Sequence, residues 1–169
     1  DFDVEVSDVP EVPVGDPVED ALRLAADKSR AVAAGRPNDV VIGGDTIVHD
    51  GRRQYGKPAS PDEAFEMLQT LRGRAHTVVT GLAVAQGDRL VSAHSEATVL
   101  LADLSDEAIR TYVASGRPLD KAGAYAIQDD DVPTVSRLEG CYCCVMGLPL
   151  WRLRSLLDAA GLEVGDPAI

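Results

Sequence analysis

The sequence predicts an α/β protein, a sheet flanked by helices, and three observations carry that reading. Two segments begin with a capping side chain followed by proline and acids, Asp16-Pro17-Val18-Glu19 and Ser60-Pro61-Asp62-Glu63, as helix starts do. Between them Val40-Val41-Ile42 is a β-branched run, as expected of a strand buried on both faces. After them, residues 76–85 and 89–101 read as long strands joined through Gln86-Gly87-Asp88, which makes that part of the sheet antiparallel.

The 169 residues are most simply one domain, long enough to bury a core without metal or disulfide staples. The chain is 45% hydrophobic but only 4% aromatic, so the core must be built from Val, Leu, Ile and Ala. The net charge of -12 argues against a broad grip on nucleic acid or on an anionic membrane surface. A small anionic ligand would need lysines or arginines converging locally, with a divalent metal to help. The three cysteines, Cys141, Cys143 and Cys144, are too crowded for a disulfide framework and lack zinc-site spacing. They fit small buried residues of a cytosolic protein. No apolar run reaches membrane-spanning length and no signal-peptide pattern opens the chain, so a soluble, cytoplasmic protein is expected.

In chain order, residues 1–14 alternate apolar and acidic and then meet prolines, which predicts a short strand leading into a loop that holds Glu11. A helix follows over residues 17–34, with Val18, Leu22, Ala25 and Val32 on one stripe, Lys28 to its side and Gly35 as its stop. The β-branched run ends in Gly43-Gly44, which loosens the backbone before Asp45 and Thr46 and puts a carboxylate and a hydroxyl at a strand end. Lys57, between Gly56 and Pro58, sits in a restrained loop, and the second helix carries Ala64, Met67, Leu68 and Leu71 as its stripe. His76 and His94 show no partner and read as structural.

A third helix begins at Leu104-Ser105-Asp106-Glu107 and stops at Gly116. Residues 117–128 read as a loop and short strand that set Asp120 beside Lys121 and end in Gln128, whose amide both donates and accepts. Asp129, Asp130 and Asp131 form an acidic turn, residues 132–138 a strand, and residues 140–146 a segment packing its cysteines inside. The last helix follows Gly147-Leu148-Pro149, with Leu150, Leu153, Leu156 and Leu157 as core, and residues 163–169 lack obvious structure.

An isolated Gly-Asp-Thr caps a turn, and isolated surface lysines solubilise. Five segments in order change that: VIGGDTIV, GKP, LRGRAHTVVTG, DKAGAYAIQ and VMGLPL. Together they resemble the Maf family of nucleoside triphosphate pyrophosphatases, the septum-formation-inhibitor-like proteins, from about residue 8 to 157. The resemblance implies an elongated mixed sheet flanked by helices, like that of the inosine triphosphatases, and hydrolysis of a nucleoside triphosphate to monophosphate and pyrophosphate with Mg2+ or Mn2+. It implies Asp45 as the proton acceptor that activates water, Thr46 and Gln128 as base-choosing positions, and Glu11 with Asp45 at the metal. Lys28, Lys57 and Lys121 would lie near the phosphates, with Asp120 in the same cleft. The DKAGAYAIQ form resembles the branch acting on dTTP and UTP, and family members are often homodimers.

The family also opens with a strand and a Ser-x-Ser-Pro-Arg-Arg phosphate loop, which this sequence does not contain; the expectation is a single domain over residues 1–169 without that first strand and loop. Smaller departures are Gly44 and Ser29 where alanine is usual, and Cys141 where aspartate is frequent. An alternative reading is a catalytically silent nucleotide-binding or cell-division-regulating relative.

Overall fold

Asp16 accepts from the backbone N–H groups of Val18 and Glu19 and, with Pro17 in the first turn, starts helix α1 (Pro17–Ala33). The structure, a computed structural model, describes residues 2–129, 131–162 and 165. From α1 the chain runs through β1 (Val41–His49), β2 (Gln54–Tyr55), α2 (Pro61–Leu71), β3 (Ala75–Gln86), β4 (Arg89–Leu101) and α3 (Asp106–Ala114). Short 3-10 turns at Arg117–Asp120 and Ala122–Ala124 lead to β5 (Val135–Gly140), α4 (Tyr142–Val145) and α5 (Leu150–Ala159).

The strands form one five-stranded sheet in the order β2-β1-β3-β4-β5. The α/β class with flanking helices is as the sequence predicts, but the expected mixed sheet is corrected: the pairings among the described residues are all antiparallel, and tight turns impose this between β1 and β2 and between β3 and β4. On the side away from β3, β1 is paired only at Val48 and His49, by β2, among the described residues.

Strand alternation divides β1 and β3 into two faces. Val48 and Val78 face the main core, with Met67, Leu68 and Leu71 of α2, Ile109 and Tyr112 of α3, and Tyr125. On the other face Ile47 and Val79 pack against Ala21 of α1, and Ala83 packs against Ala25 and Ala26. The helix lies very close. A Cβ on Gly43 would fall 2.4 Å from the Ala25 carbonyl oxygen, and one on Gly81 2.3 Å from that of Ala21. Gly43 therefore admits a helix; it does not loosen the backbone for a ligand.

Other expectations are corrected. β1 continues through Asp45 to His49, so Asp45 and Thr46 stand in mid-strand, because Gly43 and Gly44 pair regularly with Ala83 and Leu82. Val40 and Ile42 are exposed, so the run is not buried on both faces. Residues 2–14 form no strand: no partner strand meets them among the described residues, and Phe2, Val4 and Val6 are 88%, 85% and 85% exposed. The stretch after α3 makes 3-10 turns, because Gly116 and Gly123 adopt positive φ and Pro118 occupies the first turn. The last strand sits at Val135–Gly140, and Cys144 alone of the cysteines is buried, since α4 turns Cys141 and Cys143 outward in part. Leu150 is exposed, at the start of α5, where only the later turns reach Leu82 and Val84. His76 and His94 do have partners, His76 the hydroxyl of Tyr125 at 2.8 Å and His94 the carboxylate of Glu96 at 3.3 Å. The expectation for residues 163–169 falls largely outside the described residues.

No described helix is long and apolar enough to cross a membrane.

Candidate functional site

A cavity of about 440 Å³ lies around β1. Asp45, Lys28 and Glu11 line one part of it; Thr46, Val48, Val78 and Tyr125 line another. Lys57, Asp120 and Lys121 also border it. The strand itself explains the division: Asp45 faces α1 and Thr46, the next residue, faces the core.

Asp45 stands opposite Gly81 in the ladder. Because Gly81 has no side chain, α1 rests on the sheet there, and Lys28, two turns further along α1 from Ala21, reaches the carboxylate. Its Nζ donates to Asp45 Oδ1 at 2.6 Å and to Glu11 Oε1 at 2.5 Å. Lys57 Nζ approaches Glu11 Oε2 at 3.5 Å. Lys121 Nζ bonds both oxygens of its neighbour Asp120 at 2.7 Å.

Burial raises the Asp45 pKa above the ordinary carboxylate value, and the Lys28 bond only partly counters it. Glu11 goes the other way: the hydrogen bond from Lys28 lowers it against a smaller effect of burial. Burial opposes the charge on Lys28, but its bonds to Asp45 and Glu11 outweigh it and raise its pKa. Asp45 is thus the more basic of the two carboxylates, held beside a firmly charged lysine.

For a divalent metal, Asp45 and Glu11 offer carboxylate oxygens on either side of Lys28, and no group of three or more His, Cys, Asp or Glu side chains suited to a metal occurs among the described residues. That donor set does not make an all-protein cage. It fits a magnesium-type ion, which is characteristically held by one or two carboxylates with phosphate oxygens and water completing the shell.

The loop bearing Glu11 is fixed by a residue that sequence reasoning missed. Asp20, buried on α1, accepts from the N–H groups of Val14 and Gly15, and from Arg23 at 2.8 Å and Gln54 at 3.1 Å. Arg23 also donates to the Val12 carbonyl. Burial alone would raise the Asp20 carboxyl, yet Arg23, Gln54 and the Gly15 and Val14 N–H groups bring it down to about 2. A depressed carboxylate contributes stability fully above its unfolded value of 3.8, and that contribution is lost as pH falls toward about 2. Denaturant unfolding at pH 5 and pH 2 is expected to show a loss of about 2 kcal/mol in the native chain that Asp20→Asn does not show. An equal loss in both would reject Asp20 as the clamp. The only sequence signal was an acid in the first turn of a capped helix, where acids are common for other reasons.

Thr46 is backed by a second missed residue, Thr80, whose hydroxyl oxygen lies 2.9 Å from its own. Gln128, by contrast, is exposed in the turn after Tyr125 and does not line the cavity. The chain turns at Ile127 and Gln128, where the Asp129 N–H donates to the Ala126 carbonyl at 3.3 Å, and that turn leaves the Gln128 side chain exposed. Asp45, Lys28, Glu11, Thr46, Lys57, Asp120 and Lys121 are brought together at one cavity; Gln128 is not.

Residues 1–160 match the family described as Maf-like protein. Among curated relatives, the dTTP/UTP pyrophosphatase of Thermomicrobium roseum is 47% identical over 147 residues, which are 87% of this chain and 67% of the relative. Those of Koribacter versatilis and Symbiobacterium thermophilum are 44% and 43% identical, covering 95% and 96% of this chain and 84% and 85% of their own. The chain belongs to the Maf family.

Proposed function

We propose that this chain is a nucleoside triphosphate pyrophosphatase acting on dTTP and UTP, releasing the monophosphate and pyrophosphate. The observation that carries the reading is Asp45, a partly buried carboxylate of raised pKa that faces a cavity and is held by a charged lysine. A carboxylate made more basic by burial is suited to take a proton from water. The names of the relatives supply the substrate class.

In this mechanism Asp45 orients a water molecule and accepts its proton as the oxygen bonds to the α-phosphorus. The bond from that phosphorus to the bridging oxygen breaks, and pyrophosphate leaves with the electron pair. Lys28 and Lys57, with Lys121 beyond them, offset the charge gathering on the phosphate oxygens. Glu11 and Asp45, together with the phosphates, would hold a divalent cation, which would supply further charge stabilisation. Lys28 also keeps Asp45 and Glu11 in place when no ligand is bound. A cytoplasmic setting and a homodimeric assembly belong to the same reading.

The test is product analysis after incubation with UTP, dTTP or 7-methyl-GTP and magnesium or manganese. Pyrophosphate and monophosphate from UTP and dTTP are expected. Orthophosphate as the first product would overturn the reading. Nucleotide binding with no product from any substrate would favour a silent nucleotide-binding protein.

A further inference from the structure

Thr46 and Thr80 are directly opposite each other on β1 and β3, and their hydroxyl oxygens are 2.9 Å apart. Thr80 is 0% exposed, and its hydroxyl donates to the Cys144 carbonyl at 2.7 Å. A threonine hydroxyl has one proton and two lone pairs, whereas a carbonyl oxygen can only accept. The Thr80 proton is therefore committed to Cys144. Were it turned toward Thr46 instead, two buried oxygens would face each other at 2.7 Å with no proton between them. The bond between the two threonines must be made with the proton of Thr46. Toward the cavity Thr46 is left with lone pairs alone.

We propose that Thr80 is a positioning residue that fixes Thr46 as a hydrogen-bond acceptor, and that Thr46 thereby selects a pyrimidine presenting an N–H at that point. Uracil and thymine carry such a donor at N3; cytosine has an acceptor there. The proposal rests on the nucleotide reading given above. The surroundings suit a base and not a phosphate. Val48, Val78, Tyr125 and Val145 line the cavity on the Thr46 face, a largely apolar setting for a flat ring, while Lys28 and Glu11 lie with Asp45. Phosphate oxygens are themselves acceptors and would be repelled by the exposed lone pairs. Cys144 holds the arrangement from behind: its carbonyl also accepts from Gly147 N–H at 3.0 Å, and its thiol donates to the Ser95 carbonyl at 3.1 Å.

The experiment is calorimetric titration with UTP and CTP analogues whose α,β-bridging oxygen is replaced by methylene, so that binding is read without turnover. The native chain is expected to favour the uridine analogue by about tenfold, the worth of one buried hydrogen bond gained against one opposed. Thr80→Val frees the Thr46 proton to turn toward the cavity, and the preference should fall to within about twofold, mainly through tighter cytidine binding. Thr80→Ser, which keeps the hydroxyl, should retain the native preference. A folded Thr80→Val with the native ratio overturns the proposal, as does loss of preference in both Thr80 variants, which a purely structural role would produce. Should Thr80→Val fail to fold, Thr46→Val decides: retention of the uridine preference without that hydroxyl overturns it. Pyrophosphate release is read separately. A uridine preference that follows these variants in a chain without turnover sinks the hydrolase reading and leaves this one; turnover with equal affinities for the two analogues does the reverse.

Discussion

Asp45→Asn is expected to lower the rate of pyrophosphate release from UTP about a thousandfold, the range in which a positioned general base acts. The substitution keeps the shape of the side chain and an oxygen that accepts from Lys28, but removes the site for the proton. Stability should change little, because burial already disfavours the charge on Asp45 and Lys28 retains Glu11 as a partner. Steady-state kinetics and thermal melting on the same samples check both halves. Native turnover should also fall as pH drops through the raised Asp45 value, since only the ionised carboxylate accepts a proton. Turnover by Asp45→Asn equal to that of the native chain would remove Asp45 from the chemistry.

Gly81→Ala is expected to be the most damaging single-methyl change to the fold, costing about 3 kcal/mol. The added carbon would lie 2.3 Å from the Ala21 carbonyl oxygen, 2.4 Å from its carbon and 2.8 Å from the Leu22 nitrogen. All are main-chain atoms of α1, so no rotamer change relieves the contact, and the helix must lift. Gly44→Ala is the internal control. Its Cβ meets the Leu82 Cδ2 atom at 3.3 Å, the tip of a side chain that can yield, and it should cost under about 1 kcal/mol. Denaturant midpoints of the two variants give the comparison; equal losses would mean that the helix contact does not govern stability. Activity should fall with Gly81→Ala as well, because the helix that lifts carries Lys28.

What the sequence made legible was what local chemistry decides. Capping residues and proline set the starts of α1 and α2, and strict alternation gave Arg89–Leu101 without error. Asp45, Lys28 and Glu11 came from the resemblance, and the fold does bring them to one cavity. What escaped depends on partners distant in the chain. Asp20 resembles any acid of a first helical turn until Gln54 and the Val14 N–H group are seen around it. Thr80 is one more polar residue in an alternating strand until Thr46 and Cys144 surround its hydroxyl. Residues 2–14 had a strand's pattern without a surface to receive it, and Gln128 had the right chemistry on a backbone that turns it outward.

The pairing of β1 with β3 carries two adjacent rungs of unlike purpose, Asp45 with Gly81 and Thr46 with Thr80. One rung needs an empty place opposite the acid; the next needs a hydroxyl opposite a hydroxyl. A single residue inserted into β3 just before Thr80 would turn Thr80 and Gly81 to the other side of the sheet and leave Asp45 and Thr46 opposite the wrong partners. Substitutions here alter one rung at a time, whereas a change of length removes both together. Room for gaining or losing residues lies instead at the Gly87 turn, far along the same hairpin, where a side chain on the glycine would meet open space. This protein therefore keeps its reading frame against the sheet as strictly as it keeps its acid.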